Sequence, residues 1–108
     1  MKIDVLYFEG CPNHHAAVEL AESVVAELGV AAKINQLPVS DAANAERLRF
    51  FRSPSVKVNG IDIDPGTQGR TDYAFACRVY DQAGLPPRRM LIEAIQSYAT
   101  PAEPQPQP

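Results

Sequence analysis

Lys2-Ile3-Asp4-Val5-Leu6-Tyr7-Phe8-Glu9, followed at once by Gly10-Cys11-Pro12-Asn13, is the stretch that decides how this chain folds. Its first half alternates and its second half is apolar on both sides, the pattern of a strand buried inside a sheet. Residues 2 to 8 are therefore expected to form an interior strand. Gly10 through Asn13 break the pattern, and beyond them Val18, Ala21, Val24, Val25 and Leu28 recur at intervals of three and four residues up to Gly29. This spacing predicts a helix over 12–28, with Pro12 in the first turn, where its missing N–H costs nothing. Cys11 is thereby expected at a helix N-terminus.

Further along, Ala32, Ile34 and Gln36 alternate with Lys33 and Asn35 and lead into Leu37-Pro38-Val39, a second strand whose proline marks an edge or an exit. A helical crossover between the first two strands makes them parallel. Ser40 is a plausible N-cap for a short helix through Asp41 to Phe50, with Ala45 and Leu48 inward and Glu46, Arg47 and Arg49 mostly facing water. Ser55-Val56-Lys57-Val58-Asn59-Gly60-Ile61-Asp62-Ile63-Asp64 then reads as a hairpin, because Asn-Gly between alternating apolar residues favours a two-residue type I′ turn. In that register Val58 meets Ile61 and Val56 meets Ile63 on one face, while Lys57 meets Asp62 on the other. The expected sheet order is second strand, first strand, Ser55–Val58, Ile61–Asp64, with the first and last helices on one face.

Residues 65 to 71 read as a loop, and Tyr73, Phe75, Cys77 and Val79 alternate with Ala74, Ala76, Arg78 and Tyr80 as an extra extended segment. Gly84-Leu85-Pro86-Pro87 sets up a last helix with Leu91, Ala94, Ile95 and Tyr98 inward. The proline-rich residues 101 to 108 read as a disordered tail. The organisation expected is one domain over 1–100 followed by that tail, since 108 residues suffice for one modest core and not for a second domain.

A formal charge of −3, with acidic and basic residues interspersed and no Lys/Arg stripe, argues against nucleic acid or an anionic membrane as partner. No apolar run is long enough to span a bilayer, and Met1-Lys2 leads straight into a strand pattern rather than a signal-peptide core. A cytoplasmic location is the expectation. In that compartment two cysteines are more often catalytic, redox-active or metal-binding than structural staples.

Cys11 is the leading candidate. A thiol at a helix N-terminus sees the partial positive charge of unsatisfied N–H groups, and His14 and His15 add cationic character when protonated, so the reactive thiolate is favoured. The competing reading is a small buried hydrophobe at a tight turn. His14 is either a partner of Cys11 or a solvated residue of the first turn. Cys77 is either a second thiol that resolves an oxidised Cys11 or a core residue on an apolar face. Resolution by Cys77 needs the two Cα atoms within about 7 Å, and the two are expected near one another. Asp72 and Arg78 are treated as solvated.

The order strand, helix, parallel strand, helix, antiparallel hairpin, helix resembles the plan of thioredoxins and glutaredoxins. Those proteins carry C-x-x-C where the first strand meets the first helix; here the stretch reads Cys11-Pro12-Asn13-His14, with His14 in the second cysteine's place. Ser53-Pro54-Ser55-Val56 likewise resembles their Thr-Pro-Thr-Val stretch, in which the proline is cis and lies against the active cysteine. More closely, Tyr7-Phe8-Glu9-Gly10-Cys11-Pro12-Asn13, Ala45 to Phe50, Ser53 to Gly60 and Cys77-Arg78-Val79-Tyr80 are similar to small bacterial thioredoxin-like proteins of the DF family. Some members carry selenocysteine at the position matching Cys11, and many are labelled alkylmercury lyase-like.

The resemblance implies a thioredoxin-like α/β fold with a mixed four-stranded sheet, and a nucleophilic or redox role for Cys11. It also implies a cis Pro54 in contact with Cys11, with Pro12, Ser53 and Pro54 lining the substrate position so that the Ser53 backbone can pair with an extended thiol substrate. Without a second cysteine one helical turn on, an internal disulfide there is impossible.

The function expected is a thiol oxidoreductase or thiol-dependent reductase. Its catalytic residues are Cys11, His14 and Cys77, its partner is a small thiol or a thiol/disulfide protein, and it has no resident cofactor or metal, with glutathione a candidate co-substrate. The second expectation is capture of a soft metal such as mercury or copper, or organomercurial processing, by Cys11 and Cys77 with His14 as a further ligand. A third is a thioredoxin-like scaffold retained as a binding module.

Overall fold

The computed structural model describes residues 1–67, 69–71, 73 and 84–99. In chain order the elements are β1 Lys2–Tyr7, α1 His14–Leu28, β2 Lys33–Pro38, α2 Ala42–Arg47, β3 Ser55–Val58, β4 Ile61–Asp62 and α3 Arg88–Ala99, with a short 3-10 turn at Pro65–Thr67. One four-stranded sheet runs in the order β2-β1-β3-β4, as expected. β1 is parallel to β2, with Ile3 beside Ile34 and Val5 beside Gln36, and antiparallel to β3, with Val5 beside Val56. The protein is α/β with a mixed sheet.

The interior position of β1 accounts for its composition. Ile3 and Val5 point to one face, where they join Ala17, Val18, Ala21 and Val24 of α1 and Leu91 and Ile95 of α3 in a single buried cluster. Leu6 points to the other face and packs with Val39, Ala45 and Phe50 beneath α2. A strand covered on both faces needs apolar residues at successive positions, and β1 supplies them. Phe50 is fully buried, so its truncation to alanine would cost about 3–5 kcal/mol. Both α1 and α3 cover the same face, as the sequence implied, and Arg88 of α3 reaches Ser23 and Glu27 of α1.

The hairpin follows its sequence register. Asn59 and Gly60 adopt φ values of 52° and 87°, the two positive angles a type I′ turn requires. Val58 faces Ile61 and Lys57 faces Asp62, and the Ile63 amide donates to the Val56 carbonyl at 3.0 Å beyond the end of β4.

Several boundaries differ from expectation. The first helix begins at His14, not at residue 12, because Pro12 and Asn13 form a turn and Asn13 is the N-cap. The second is capped by Asp41 rather than Ser40, its carboxylate accepting from the Asn44 amide at 2.8 Å. It ends at Arg47 because Arg49 is left-handed, with φ 55°, which a right-handed helix cannot absorb. Within the expected loop 65–71, Pro65–Thr67 close a 3-10 turn. Tyr98 is 40% exposed rather than inward, since β4 ends at Asp62 and leaves the last turn of α3 beside the open edge of the sheet. The extended segment proposed around Cys77 lies outside the described residues apart from Tyr73, and the tail 101–108 lies outside them altogether. Among the described residues no helix is long and apolar enough to cross a membrane.

Candidate functional site

Cys11 sits on a pivot between two consecutive turns. Its amide donates to the Phe8 carbonyl at 3.1 Å, closing a turn over Glu9 and Gly10, and its carbonyl accepts from the His14 amide at 3.4 Å. Gly10 occupies the third position of the first turn with φ 86°, an angle at which a type II turn needs glycine. A Cβ there would meet nothing within 4 Å, so the requirement is conformational rather than spatial. The consequence is that β1 stops abruptly and its chain turns inward, burying Cys11 to 8% exposure between the exposed Gly10 and Pro12.

Cys11 precedes the N-cap Asn13 rather than occupying the first helical turn. The helix macrodipole fades within its first turn, so the thiol is displaced from the strongest part of that field. Among the described residues the thiol has no hydrogen-bond partner, and Cys11 is a free cysteine.

His14, in the place of a second cysteine, is engaged elsewhere. Its ring stacks on Tyr7 with centroids 3.5 Å apart and planes 9° from parallel, and on His15 at 4.6 Å. Its Nε2 lies 2.8 Å from Gln36 Oε1. Tyr7 and Gln36 are the residues missed in the sequence. Both follow from the strand period, since Tyr7 shares a face with Ile3 and Val5, and Gln36 is the register partner of Val5. Together they hold the imidazole over the ends of β1 and β2, with no hydrogen bond to the Cys11 thiol.

Ser53 and Pro54 are brought to the same end of the sheet. The Phe8 amide donates to Ser53 Oγ at 3.3 Å, so one peptide unit away from the Cys11 turn the chain is already tied to the segment before β3. Ser53 is 1% exposed, Pro54 is buried, and the Ser53–Pro54 bond is cis. The Ser55 hydroxyl donates to the Arg52 carbonyl at 2.6 Å and closes the backbone around the proline. Cys11, Pro12, His14, Ser53 and Pro54 are thus gathered at the C-terminal end of β1.

A second contact at this end had no sequence signal beyond a glycine. Gly84 crosses the N-cap of α1 so closely that a Cβ on it would stand 2.1 Å from Asn13 Nδ2. Cys77, expected as a resolving thiol or as a ligand beside Cys11, lies outside the described residues. Among the described residues no three His, Cys, Asp or Glu side chains converge as a metal site would require. Compared with family models, with curated proteins and with solved structures, the chain matches none.

Proposed function

We propose that the chain is a thioredoxin-like thiol oxidoreductase, akin to the DF family it resembles, working through Cys11. The observation that supports this best is the shared residue Phe8: its carbonyl closes the Cys11 turn while its amide holds Ser53. A nucleophile and a backbone segment able to align a substrate are then fixed by the same residue. In the reaction the Cys11 thiolate attacks one sulfur of a disulfide, forms a mixed disulfide and expels the other sulfur as thiolate. The Cys77 thiolate can then attack the Cys11 sulfur, releasing the other substrate half as thiolate and leaving a Cys11–Cys77 disulfide. Alternatively, one glutathione thiolate releases that half and leaves Cys11 joined to glutathione. A second glutathione thiolate then attacks the bound glutathione sulfur, freeing the Cys11 thiolate and forming glutathione disulfide. Ser53 and the buried Pro54 position the substrate backbone, and Pro12 forms the exposed rim. His14 is a positioning residue that packs the start of α1 onto β1.

The test is reduction of a small glutathione mixed disulfide by the full chain with glutathione as electron donor. Cys11→Ser is expected to abolish turnover. Wild-type turnover by Cys11→Ser would overturn the reading. Loss of turnover in Cys77→Ser as well would assign the second step to Cys77, and its retention would assign that step to glutathione.

A further inference from the structure

The other face of the hairpin carries a cluster of charge that thiol chemistry does not use. A cleft of about 360 Å³ opens there, lined by Arg49, Lys57 and Arg70, by the aromatic rings of Phe51 and Tyr73, and by Asp62. Among these described lining residues three are cations and one is an anion, in a chain whose net charge is −3. Local charge therefore runs against the charge of the molecule as a whole.

The local structure explains how the cations come to face one another. Arg49 turns left-handed after α2, with φ 55°, and this brings its guanidinium toward β3 instead of continuing along the helix. Lys57 alternates with the buried Val56 and Val58 and so projects to the α2 side, where its Nζ donates to the Leu48 carbonyl at 2.7 Å. An ammonium has three donors, and the carbonyl takes one of them. Arg49 makes no ion pair or hydrogen bond through its side chain among the described residues. Arg70 lies over the Phe51 ring, 5.7 Å from its centroid, and Phe51 packs against Tyr73 with centroids 4.7 Å apart. The aromatic pair thus forms a wall against which one guanidinium is held at the cleft.

Lys57 lies partly desolvated in this cleft, with charges of both signs around it. Burial depresses its ammonium, Asp62 opposes that shift, Arg49 adds to it and Asp4 opposes it. Asp62 outweighs Arg49 among these charges, so desolvation rather than repulsion is what lowers Lys57. An oxyanion bridging Arg49 and Lys57 would supply charge-assisted hydrogen bonds to both.

We propose that the cleft between Arg49, Lys57 and Arg70 is a binding site for the oxyanion group of a small molecule, a phosphate or a carboxylate, separate from the Cys11 site. Lys57 supplies a point charge from the floor of β3, Arg49 a planar fork from the turn after α2, and Phe51 and Tyr73 an apolar wall for whatever carries the anion. The site stands on the cleft alone and is independent of Cys11 chemistry.

The experiment is titration of the full chain with inorganic phosphate, and separately with benzoate, at constant ionic strength set with chloride. The amide resonances of Leu48, Lys57, Gly60 and Thr71 are followed. Saturable shifts confined to these amides are expected with at least one probe. Saturation by phosphate assigns a phosphate source and saturation by benzoate a carboxylate source, and either supports the site. Arg49→Asn, which removes the charge but tolerates the left-handed backbone, should weaken binding about tenfold, as loss of one charge-assisted hydrogen bond would. Arg89→Gln, at an exposed position of α3 where Arg89 pairs with Glu93, should leave affinity unchanged. No saturation with either probe, shifts reproduced by chloride alone, or equal weakening in both variants would overturn the proposal.

Discussion

The Phe8 amide and the Ser53 hydroxyl, separated by most of the first half of the chain, meet at 3.3 Å at the end of β1. Ser53 is 1% exposed, so its hydroxyl has almost no water to turn to. Ser53→Ala removes the acceptor and should cost about 1 kcal/mol, typical for one neutral hydrogen bond. The same change loosens the tie between the pre-β3 segment and the Cys11 turn. Denaturant unfolding should show the stability loss, and alkylation of Cys11 should become faster. An unchanged alkylation rate alongside the stability loss would mean that Ser53 only braces the sheet.

Gly10 sets the direction in which Cys11 leaves β1. At φ 86° any residue with a Cβ is strained, and Gly10→Ala should cost about 1–2 kcal/mol although the surrounding space is open. Gly10→Asn, which tolerates positive φ better, should lose less. Chemical denaturation of the three proteins gives the order Gly, Asn, Ala from most to least stable. A Gly10→Ala protein as stable as the parent would show that the turn can relax to another conformation without cost.

The parts of this fold that were legible are those where local periodicity and tertiary environment agree. β1 is apolar on both sides because it is central, and the Asn59-Gly60 hairpin carries its register in six residues around the turn. Cys11 and Ser53 were legible because each marks a break between a strand and something else. What the sequence hid depends on contacts between distant segments. The start of α1 moved to His14 because Pro12 and Asn13 continue a turn, and Pro12 suits that turn as well as it suits a first helical residue. The His14 stack needs the β1–β2 register as well as the helix. Arg49 in a left-handed conformation has no local signature at all, since arginine is not a residue that favours it. Tyr98 fell at a helical spacing that reads as inward, yet the sheet beneath it is too narrow to cover it.

Lys57 makes a contribution to stability whose dependence on pH has a definite sign. Desolvation holds its ammonium below the ordinary value of 10.5, with Asp62 opposing, Arg49 adding and Asp4 opposing. A cation whose pKa is lower in the folded state is disfavoured there. The full penalty applies below the folded value, and as pH rises from that value toward 10.5 the folded protein gives up its proton before the unfolded chain does. The unfolded chain then binds more protons, so this group adds stability with rising pH. Lys57→Met lacks the contribution. The stability of the parent minus that of Lys57→Met should therefore increase through the alkaline range up to 10.5, measured by denaturant unfolding at a series of pH values. A difference that is flat or falls with pH would contradict the desolvated environment assigned to Lys57.

The approach of Gly84 to Asn13 links the segment before α3 to the turn that holds Cys11. A Cβ at Gly84 would lie 2.1 Å from Asn13 Nδ2 and 2.8 Å from its Cγ, so Gly84→Ala forces the amide aside. Asn13 makes no side-chain hydrogen bond to cap α1, and moving its amide sacrifices none. The direct cost of Gly84→Ala should therefore be small, about 1 kcal/mol, in the usual range for a surface-proximal substitution with a steric cause. The displacement is nonetheless passed to residues adjoining Cys11, and the alkylation rate of Cys11 should change in Gly84→Ala. Asn13→Ala removes the obstructing group, so adding Gly84→Ala to it should produce little further change in either stability or alkylation rate. The two substitutions should thus be non-additive, with a coupling of about 0.5–1 kcal/mol, as residues in direct contact show. Additive effects in this double-mutant cycle would place the two residues apart and would detach the α3 segment from the Cys11 turn.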